Sequence, residues 1–193
     1  MTERFQILEE IIRSRRSTKP VKMTGGKIAD EEVEQLLRLA NWAPSHGLTE
    51  PWRFIVYSGE KVKEFCHAHA ELYKSHTPSE RFEQAAYDKQ FHNGDLASHL
   101  VIVTMQRGNS PKVPVLEEIA ATAMAIQNIL LGATAAGIAS FISTSGMTHH
   151  ESMKNFLGLR NEDLVMGLLY FGHYDGQLEG KRRTGIEEKS VWK

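Results

Sequence analysis

The chain has 193 residues, a formal net charge of −1 and 41% hydrophobic residues. This length suits one core, so we expect residues 1–193 to form a single domain. The charge gives no basic surplus for nucleic acid, and no apolar run reaches the roughly 20 residues that span a bilayer. Cys66 is the only cysteine, which excludes an intrachain disulfide. With an N-terminus that lacks the apolar stretch of a secretion signal, this predicts a cytoplasmic protein.

The first half of the chain alternates helical and extended patterns. Apolar residues over 3–15 recur every three or four positions, which predicts a helix. A second helix is expected to begin with Asp30 as its N-cap and to end before Pro44. Residues 52–58 read as a strand that stops at Gly59. Two polar helices complete this half, over 60–75 and over 79–92, with Pro78 between them.

The second half is more apolar. Residues 99–105 form a continuous apolar run, which is typical of a strand buried on both faces. A long apolar helix is predicted over 115–136, ended by Gly137. The remaining predicted elements are a strand over 138–143, a short helix over 149–156 and a strand over 164–172. Helices and strands alternate irregularly, which favours an α+β class over repeating parallel units.

A basic cluster, residues 15–19, stands at the end of the first predicted helix and reads Arg15, Arg16, Ser17, Thr18 and Lys19. Guanidinium groups match phosphate oxygens with two parallel hydrogen bonds, and a serine hydroxyl adds another, so the cluster indicates an anion site. The simpler alternative is that these cations complement the dipole of the helix C-terminus.

Two further segments carry polar groups that could belong to a binding site. The loop over 43–54 contains two prolines and His46, and loops held by rigid elements are where binding residues concentrate. The alternative is a plain connection between a helix and a strand. A basic triplet over 181–183 either completes the anion site or remains solvated surface.

The nine histidines do not predict a metal site. His67 and His69 lie about 200° apart around a helix, so their rings cannot hold one ion together. Cys66 has no second thiol nearby, and a structural zinc ion needs about four ligands. We therefore expect no metal.

Seven segments occur in an order that resembles the nitroreductase family, particularly its compact branch. They read RRSTK, APSH, EPWRF, AIQNILLGATAAG, ISTSG, LLYFGH and GKRR. The resemblance extends over about residues 7–192. It implies an α+β fold with a mixed sheet flanked by helices around a long central helix. It also implies an interlocked homodimer, in which the C-terminal strand crosses to the partner and FMN lies between the chains.

The resemblance also implies which residues bind FMN. These are Arg15, Arg16 and Ser17 for the phosphate and ribityl chain, Lys19 for the pyrimidine end of the ring, His46 from the partner chain, Ile142, Ser143 and Thr144 for the ring, and Lys181 and Arg183 for the phosphate. Cations suit a phosphate that carries about two negative charges. Lys19 would have an electrostatic role, because a fixed cation stabilises charge on the reduced ring. The flavin carries the hydride, so no catalytic side chain is required.

The implied activity is that of an NAD(P)H-dependent oxidoreductase. NAD(P)H reduces the flavin and leaves, and a small acceptor such as a nitroaromatic or a quinone then enters the same pocket, which makes the mechanism ping-pong. Two alternatives stay open: a non-catalytic FMN-binding protein, and a relative with specialised chemistry such as dehalogenation or azoline oxidation. The short polar segment between Gly59 and His99 lacks a large lid and argues mildly against the dehalogenase.

Three features bear on the details of this prediction. Trp42 stands where relatives can carry an arginine that contacts flavin, and Gly185-Ile186 replaces a Pro-Leu pair. The polar pair Gln127 and Asn128 in the long helix is expected to make contacts across the dimer. Neither nucleic acid nor a membrane is expected as a partner.

Overall fold

The structure, a computed structural model, describes residues 1–193. Six α-helices and four strands follow one another along the chain. They are α1 (Glu3–Ser14), α2 (Asp30–Ala40), β1 (Trp52–Ser58), α3 (Glu60–His76), α4 (Gln84–His92), β2 (His99–Met105), α5 (Val115–Ala135), β3 (Ala139–Ser143), α6 (Glu151–Phe156) and β4 (Leu164–Gly172). The predicted α+β class and the long central helix are confirmed.

The four strands form one sheet in the order β1-β2-β4-β3. Every neighbouring pair is antiparallel, and Val101 in β2 lies opposite Val56 in β1 and Leu169 in β4. The sheet of one chain is therefore antiparallel throughout, whereas a mixed sheet was expected. The outer strands of this sheet are β1 and β3.

Side chains alternate between the faces of β2 and β4, and this alternation divides the core into two layers. Val101, Val103 and Leu169 face a layer that includes α2 and α5. Leu100, Ile102 and Leu168 face a second layer that includes α3 and α6. Both central strands are thus covered on both sides, which explains why their sequences are apolar without interruption.

The long helix α5 belongs to the first layer. Its length and hydropathy would suffice to cross a membrane. However, Ala121, Ala125, Ile129 and Ala133 recur every four residues and are all buried in the core. Gly132 lies against side chains of α2, where an added Cβ would be 2.5 Å from a methyl group of Leu39. Small residues on α5 therefore let α2 approach closely.

Two helix starts differ from the sequence-based expectation. Ala29, rather than Asp30, is the N-cap of α2, and its N–H donates to the Glu32 carboxylate at 3.1 Å. The Asp30 carboxylate accepts instead from Nε2 of His99 at 2.8 Å. His150 caps α6, which therefore begins at Glu151 and not at 149.

The helix expected over 79–92 is shorter in the structure. Ser79–Arg81 forms a single 3-10 turn, and α4 begins only at Gln84. Tyr73 explains part of this break, because its hydroxyl accepts a hydrogen bond from the Glu83 backbone N–H at 3.2 Å. That N–H precedes the first turn of α4, so α3 helps to fix where α4 starts.

Candidate functional site

The chain that leaves α1 runs along the edge of β3. The Thr18 N–H donates to the Ser140 carbonyl at 2.9 Å, so this segment is extended beside the strand. Successive side chains of an extended segment point to opposite sides. Arg16 and Thr18 accordingly line one cavity, of about 330 Å³, and Lys19 lines another. The predicted basic cluster is therefore divided between two faces.

The cavity beside Lys19 has a volume of about 390 Å³ and is called the Lys19 pocket below. Its lining residues are Lys19, Pro20, Val21, Asp88, Lys89, His92, Asn93 and Phe141. Asp88 accepts a hydrogen bond from Gln84 at 2.7 Å, and His92 pairs with Asp95 at 2.8 Å. The ammonium groups of Lys19 and Lys89 have no such partner. The pocket thus combines an apolar wall with two uncommitted cations.

Sequence reasoning missed the contribution of α4, which it described only as a polar helix. Residues 89, 92 and 93 share one helical face, because they are spaced by three and four positions. That face lies against the segment after α1. The spacing is visible in the sequence, but the partner that this face meets is not.

Arg15 and Ser17 lie together at the end of α1. Nη1 of Arg15 is 3.4 Å from the Ser17 hydroxyl oxygen, and neither side chain has another hydrogen bond within the chain. Both therefore keep donors available for an anion.

Arg16 was expected to bind the same anion, but its guanidinium forms hydrogen bonds with backbone carbonyl groups instead. Its Nε donates to the Leu178 carbonyl at 2.9 Å, and its Nη1 donates to the carbonyls of Arg13 and Arg15 at 2.5 and 2.8 Å. The side chain is half-buried beneath the tail. In this structure the Arg16 guanidinium contacts backbone carbonyl groups and not an open anion site.

The tail brings the second set of predicted cations to the same end of α1. Gly180 lies directly against the Arg16 guanidinium. Consecutive residues are about 3.8 Å apart, so Lys181 and Arg183 follow within roughly 12 Å. Their side chains are exposed and form no ion pair. The tail cations therefore lie near the Arg16 guanidinium, at the end of α1.

The end of β3 and the turn that follows it carry the residues expected at the flavin ring. Ile142 is half-buried, Ser143 is buried with its hydroxyl 3.0 Å from that of Ser145, and Thr144 is exposed. His69 of α3 supports the turn from below, because its Nε2 accepts the Met147 N–H at 3.0 Å. Burial lowers the pKa of His69 to about 4, so its ring is neutral near pH 7. Sequence reasoning considered His69 only as a metal ligand.

The loop with His46 is strained and open. Leu48 and Glu50 have φ values of 52° and 41°, which are unfavourable for residues with a side chain. Leu48 is 83% exposed, and Trp42 is exposed as well. His46 forms an ion pair with Glu117 at the start of α5 and lines neither the Lys19 pocket nor the cavity beside Arg16. Within one chain, His46 is therefore not part of the site.

A large apolar surface is left without a partner. No residue of α1 is buried, although Phe5, Ile7, Leu8 and Ile12 are apolar. Trp192 is 96% exposed at the end of the tail. Exposed apolar patches of this kind mark interaction surfaces.

The polar pair Gln127 and Asn128 in α5 was expected to make contacts across the dimer. Gln127 is exposed. The Asn128 side-chain amide donates to the Leu39 carbonyl of its own chain at 3.2 Å, so it has a hydrogen-bond partner without a dimer contact.

A second arrangement, Ser98-His99-Asp30, has the residue types of a hydrolase. The Ser98 hydroxyl is 3.0 Å from Nδ1 of His99, whose Nε2 is 2.8 Å from Asp30. However, the Ser98 oxygen also accepts the Ile28 N–H at 2.8 Å, and the residue is only 8% exposed. The Ser98 oxygen already accepts a backbone hydrogen bond and is buried from solvent, so it is not placed to act as a nucleophile. These hydrogen bonds instead hold the segment before α2 in position.

The fold and the site together define a class of α+β protein in which unpaired cations and an apolar pocket lie beside the edge of an antiparallel sheet. Comparisons with known proteins agree with this class. The model of the nitroreductase family matches residues 12–173. The chain therefore belongs to the nitroreductase family.

Individual relatives are similar over most of their length. The chain is 28% identical over 186 residues to YfhC of Bacillus subtilis (strain 168), which carries an NAD(P)H nitroreductase name; the match covers 95% of this chain and 92% of YfhC. A nitroreductase-like family protein from Bacillus cereus has a similar structure, with a TM-score of 0.81, 25% identity, and coverage of 96% and 95%. The FMN-dependent nitroreductase NfnB from Mycobacterium smegmatis, solved with NADPH, has a TM-score of 0.73, 19% identity, and coverage of 99% and 100%.

Proposed function

We propose that this protein is an FMN-dependent oxidoreductase that takes hydride from NAD(P)H and reduces a second small molecule, such as a nitroaromatic or a quinone. The observation that carries the proposal is the Lys19 pocket, where Lys19 and Lys89 present unpaired ammonium groups beside an apolar wall. The nitroreductase names of the relatives support the activity, and the FMN and NADPH named for NfnB support the cofactor and the donor.

The residues of the site fit FMN. Arg15, Ser17, Lys181 and Arg183 supply the donors and positive charge that a phosphate requires. Only two positions separate Ser17 from Lys19, so a ligand held at Ser17 can extend into the Lys19 pocket. The pocket volume of about 390 Å³ lies within the range of about 300–1,000 Å³ that is usual for ligand sites.

FMN, when bound, supplies the hydride chemistry. The chain's own residues bind it, orient it and stabilise charge. Lys19 and Lys89 would stabilise negative charge at the pyrimidine end of the ring. The backbone of Ile142, Ser143 and Thr144 would face the ring, on a turn that His69 holds in place. A single open pocket over the flavin serves the donor and the acceptor in turn.

The proposed assembly is a cytoplasmic homodimer with exchanged tails. The unpartnered face of α1 and the exposed Val191 and Trp192 supply the apolar surface that such a dimer buries. The edge β1 is free to accept a strand, and an added strand is bound by main-chain hydrogen bonds. His46, which stays outside the site of its own chain, would reach the partner's flavin.

The cofactor is tested by extracting the ligand of the purified protein. We expect FMN, because the chain has one cationic phosphate cluster and no glycine-rich dinucleotide fingerprint. Chromatography of the extract separates FMN from FAD. FAD as the main species would contradict the proposal.

The activity is tested by steady-state turnover with NADH or NADPH and either menadione or a nitrofuran. We expect parallel double-reciprocal lines, because donor and acceptor use one pocket alternately. Intersecting lines would indicate a ternary complex. Bound FMN that neither nucleotide reduces would favour the non-catalytic FMN-binding protein, and reduced FMN that none of the acceptors reoxidises would favour specialised flavin chemistry.

The assembly is tested by deleting residues 179–193. The truncated chain should lose both dimerisation and FMN, since burial of Trp192 contributes on the order of 3 kcal/mol. The matched control is Lys181→Ala with Arg183→Ala, which should weaken FMN binding and leave the dimer intact. Sedimentation and FMN titration distinguish the two. A truncated protein that stays dimeric and binds FMN normally would refute the assigned role of the tail.

A further inference from the structure

We infer that Arg16 is a positioning residue that clamps the C-terminal tail onto the end of α1 and thereby places Lys181 and Arg183 at the FMN phosphate, without binding the phosphate itself. The inference rests on the proposed function, because the phosphate site is part of it. The clamp itself is a property of the chain alone and can be measured without flavin.

The tail has almost no other attachment. Among residues 174–193, the only hydrogen bond to the rest of the chain is the one from Arg16 Nε to the Leu178 carbonyl. The other bonds of this segment are local, such as those from Lys189 to the carbonyls of Ile186 and Thr184. No ion pair joins the tail to the rest of the chain. A cavity of about 330 Å³ lies between Leu178, Arg16 and the start of β3. Without the Arg16 contact, no hydrogen bond would hold the tail to the rest of its own chain.

An arginine is suited to this task. Its planar guanidinium carries five N–H donors in fixed directions, and here it reaches three carbonyls at once. Two of them, those of Arg13 and Arg15, belong to the end of α1, where carbonyl groups lack helical partners. The third belongs to the tail. A lysine presents one compact ammonium and cannot reproduce this planar arrangement.

Gly180 completes the clamp. A Cβ at this position would lie 2.5 Å from both Cζ and a terminal nitrogen of Arg16. The guanidinium is the flexible end of its side chain and can move aside, but moving would disturb its bonds to the three carbonyls. A larger residue at position 180 should therefore loosen the clamp. The neighbouring Lys181 then leaves the clamp one residue later, which is why its position depends on Arg16.

The clamp is tested first on the flavin-free full-length protein by limited trypsin digestion, followed by intact mass measurement. Arg16→Gln and Gly180→Val should each accelerate cleavage after residues 181–183 at least tenfold, with Arg16→Lys between them and the wild type. Gly180→Val keeps every charge, and Gly180→Ala is a milder version of it. The matched control is Gly185→Ala, whose added methyl meets only the flexible carboxylate of Glu187. An unchanged cleavage rate in both Arg16→Gln and Gly180→Val would overturn the clamp.

The positioning role is tested by comparing the affinities for FMN and riboflavin, which differ only by the phosphate. Arg16→Gln should lower the preference for FMN about tenfold, equal to about 1.4 kcal/mol, and should leave riboflavin binding nearly unchanged. A merely structural defect would weaken both ligands equally and would contradict the inference.

A double-mutant cycle separates positioning from direct contact. If Arg16 acts through the tail, Arg16→Gln should add little to the loss already caused by Lys181→Ala with Arg183→Ala. Additive losses would show that Arg16 binds the phosphate itself, which overturns the inference and leaves the proposed function intact. A released tail with an unchanged preference for FMN would instead refute the phosphate role of Lys181 and Arg183.

Discussion

His69 should make the stability of the protein depend on pH through one buried, uncharged ring. Its Nε2 accepts the Met147 N–H, so the ring hydrogen is on Nδ1, which has no partner. Burial lowers the pKa from 6.5 to about 4. Between pH 4 and pH 6.5, His69 therefore carries an added proton in the unfolded chain but not in the folded chain. The free energy of unfolding should be unaffected by His69 above pH 6.5 and should fall as pH decreases from 6.5 to 4.

The size of the effect follows from the shift in the pKa. Each pKa unit corresponds to about 1.4 kcal/mol, so the whole contribution is on the order of 3 kcal/mol. Such a loss is a large part of the 5–15 kcal/mol that typically separates folded from unfolded states. Protonation would also remove the acceptor of the Met147 N–H, which supports the turn after β3.

Urea unfolding at several pH values between 7 and 4.5 measures this effect, with His69→Gln as the variant. Its amide oxygen can accept the Met147 N–H, yet it does not titrate. We expect the wild type to lose about 1.4 kcal/mol more than the variant for each unit of pH below 6.5. His76→Gln, an exposed position on the same helix, serves as the control. Identical slopes for the wild type and His69→Gln would refute the reasoning.

Three further substitutions test other parts of the structure. Glu118→Ala should destabilise the protein by about 3–5 kcal/mol in a denaturation assay, because the buried Glu118 carboxylate pairs with Arg107. The control is Glu117→Ala at an exposed position, which should cost little in the same assay. Gly94→Ala should cost about 1–3 kcal/mol in thermal unfolding, since its Cβ would lie 2.8 Å from the Lys63 Cα and a backbone atom cannot move aside cheaply. Lys89→Met should lower the midpoint potential of bound flavin by about 30 mV, equal to about 1.4 kcal/mol for two electrons; an unchanged redox titration would remove Lys89 from the site.

The limits of three strands could be predicted because residues next to one another in the sequence mark where each strand begins and ends. β1, β2 and β4 match the predicted ranges of 52–58, 99–105 and 164–172 residue for residue. Each is a run of apolar residues that ends at a polar or glycine boundary. The pairing of these strands was not predictable, because antiparallel neighbours that are distant in sequence leave no local signal. The start of α4 was misplaced for a similar reason, since a hydroxyl from α3 engages the backbone just before it.

The site residues divide in the same way, into those that the local sequence reveals and those that only tertiary packing reveals. Arg15, Ser17 and Lys19 lie within five consecutive residues, so their chemistry could be recognised from one segment. Lys89 could not, because it joins the pocket only through the packing of α4. The carbonyl partners of Arg16 were not predicted, since a guanidinium suits a carbonyl oxygen as well as a phosphate. Only the tertiary structure shows which acceptor is present.

The contact between Arg16 and Leu178 joins positions 162 apart, near opposite ends of the chain. During synthesis on a ribosome, the first helix emerges long before its partner segment exists. The anion-binding end of the proposed site can therefore close only after residues 178–183 have left the ribosome. Flavin loading should accordingly be a late, post-translational step, and incomplete chains should not withdraw the cofactor from the cellular pool.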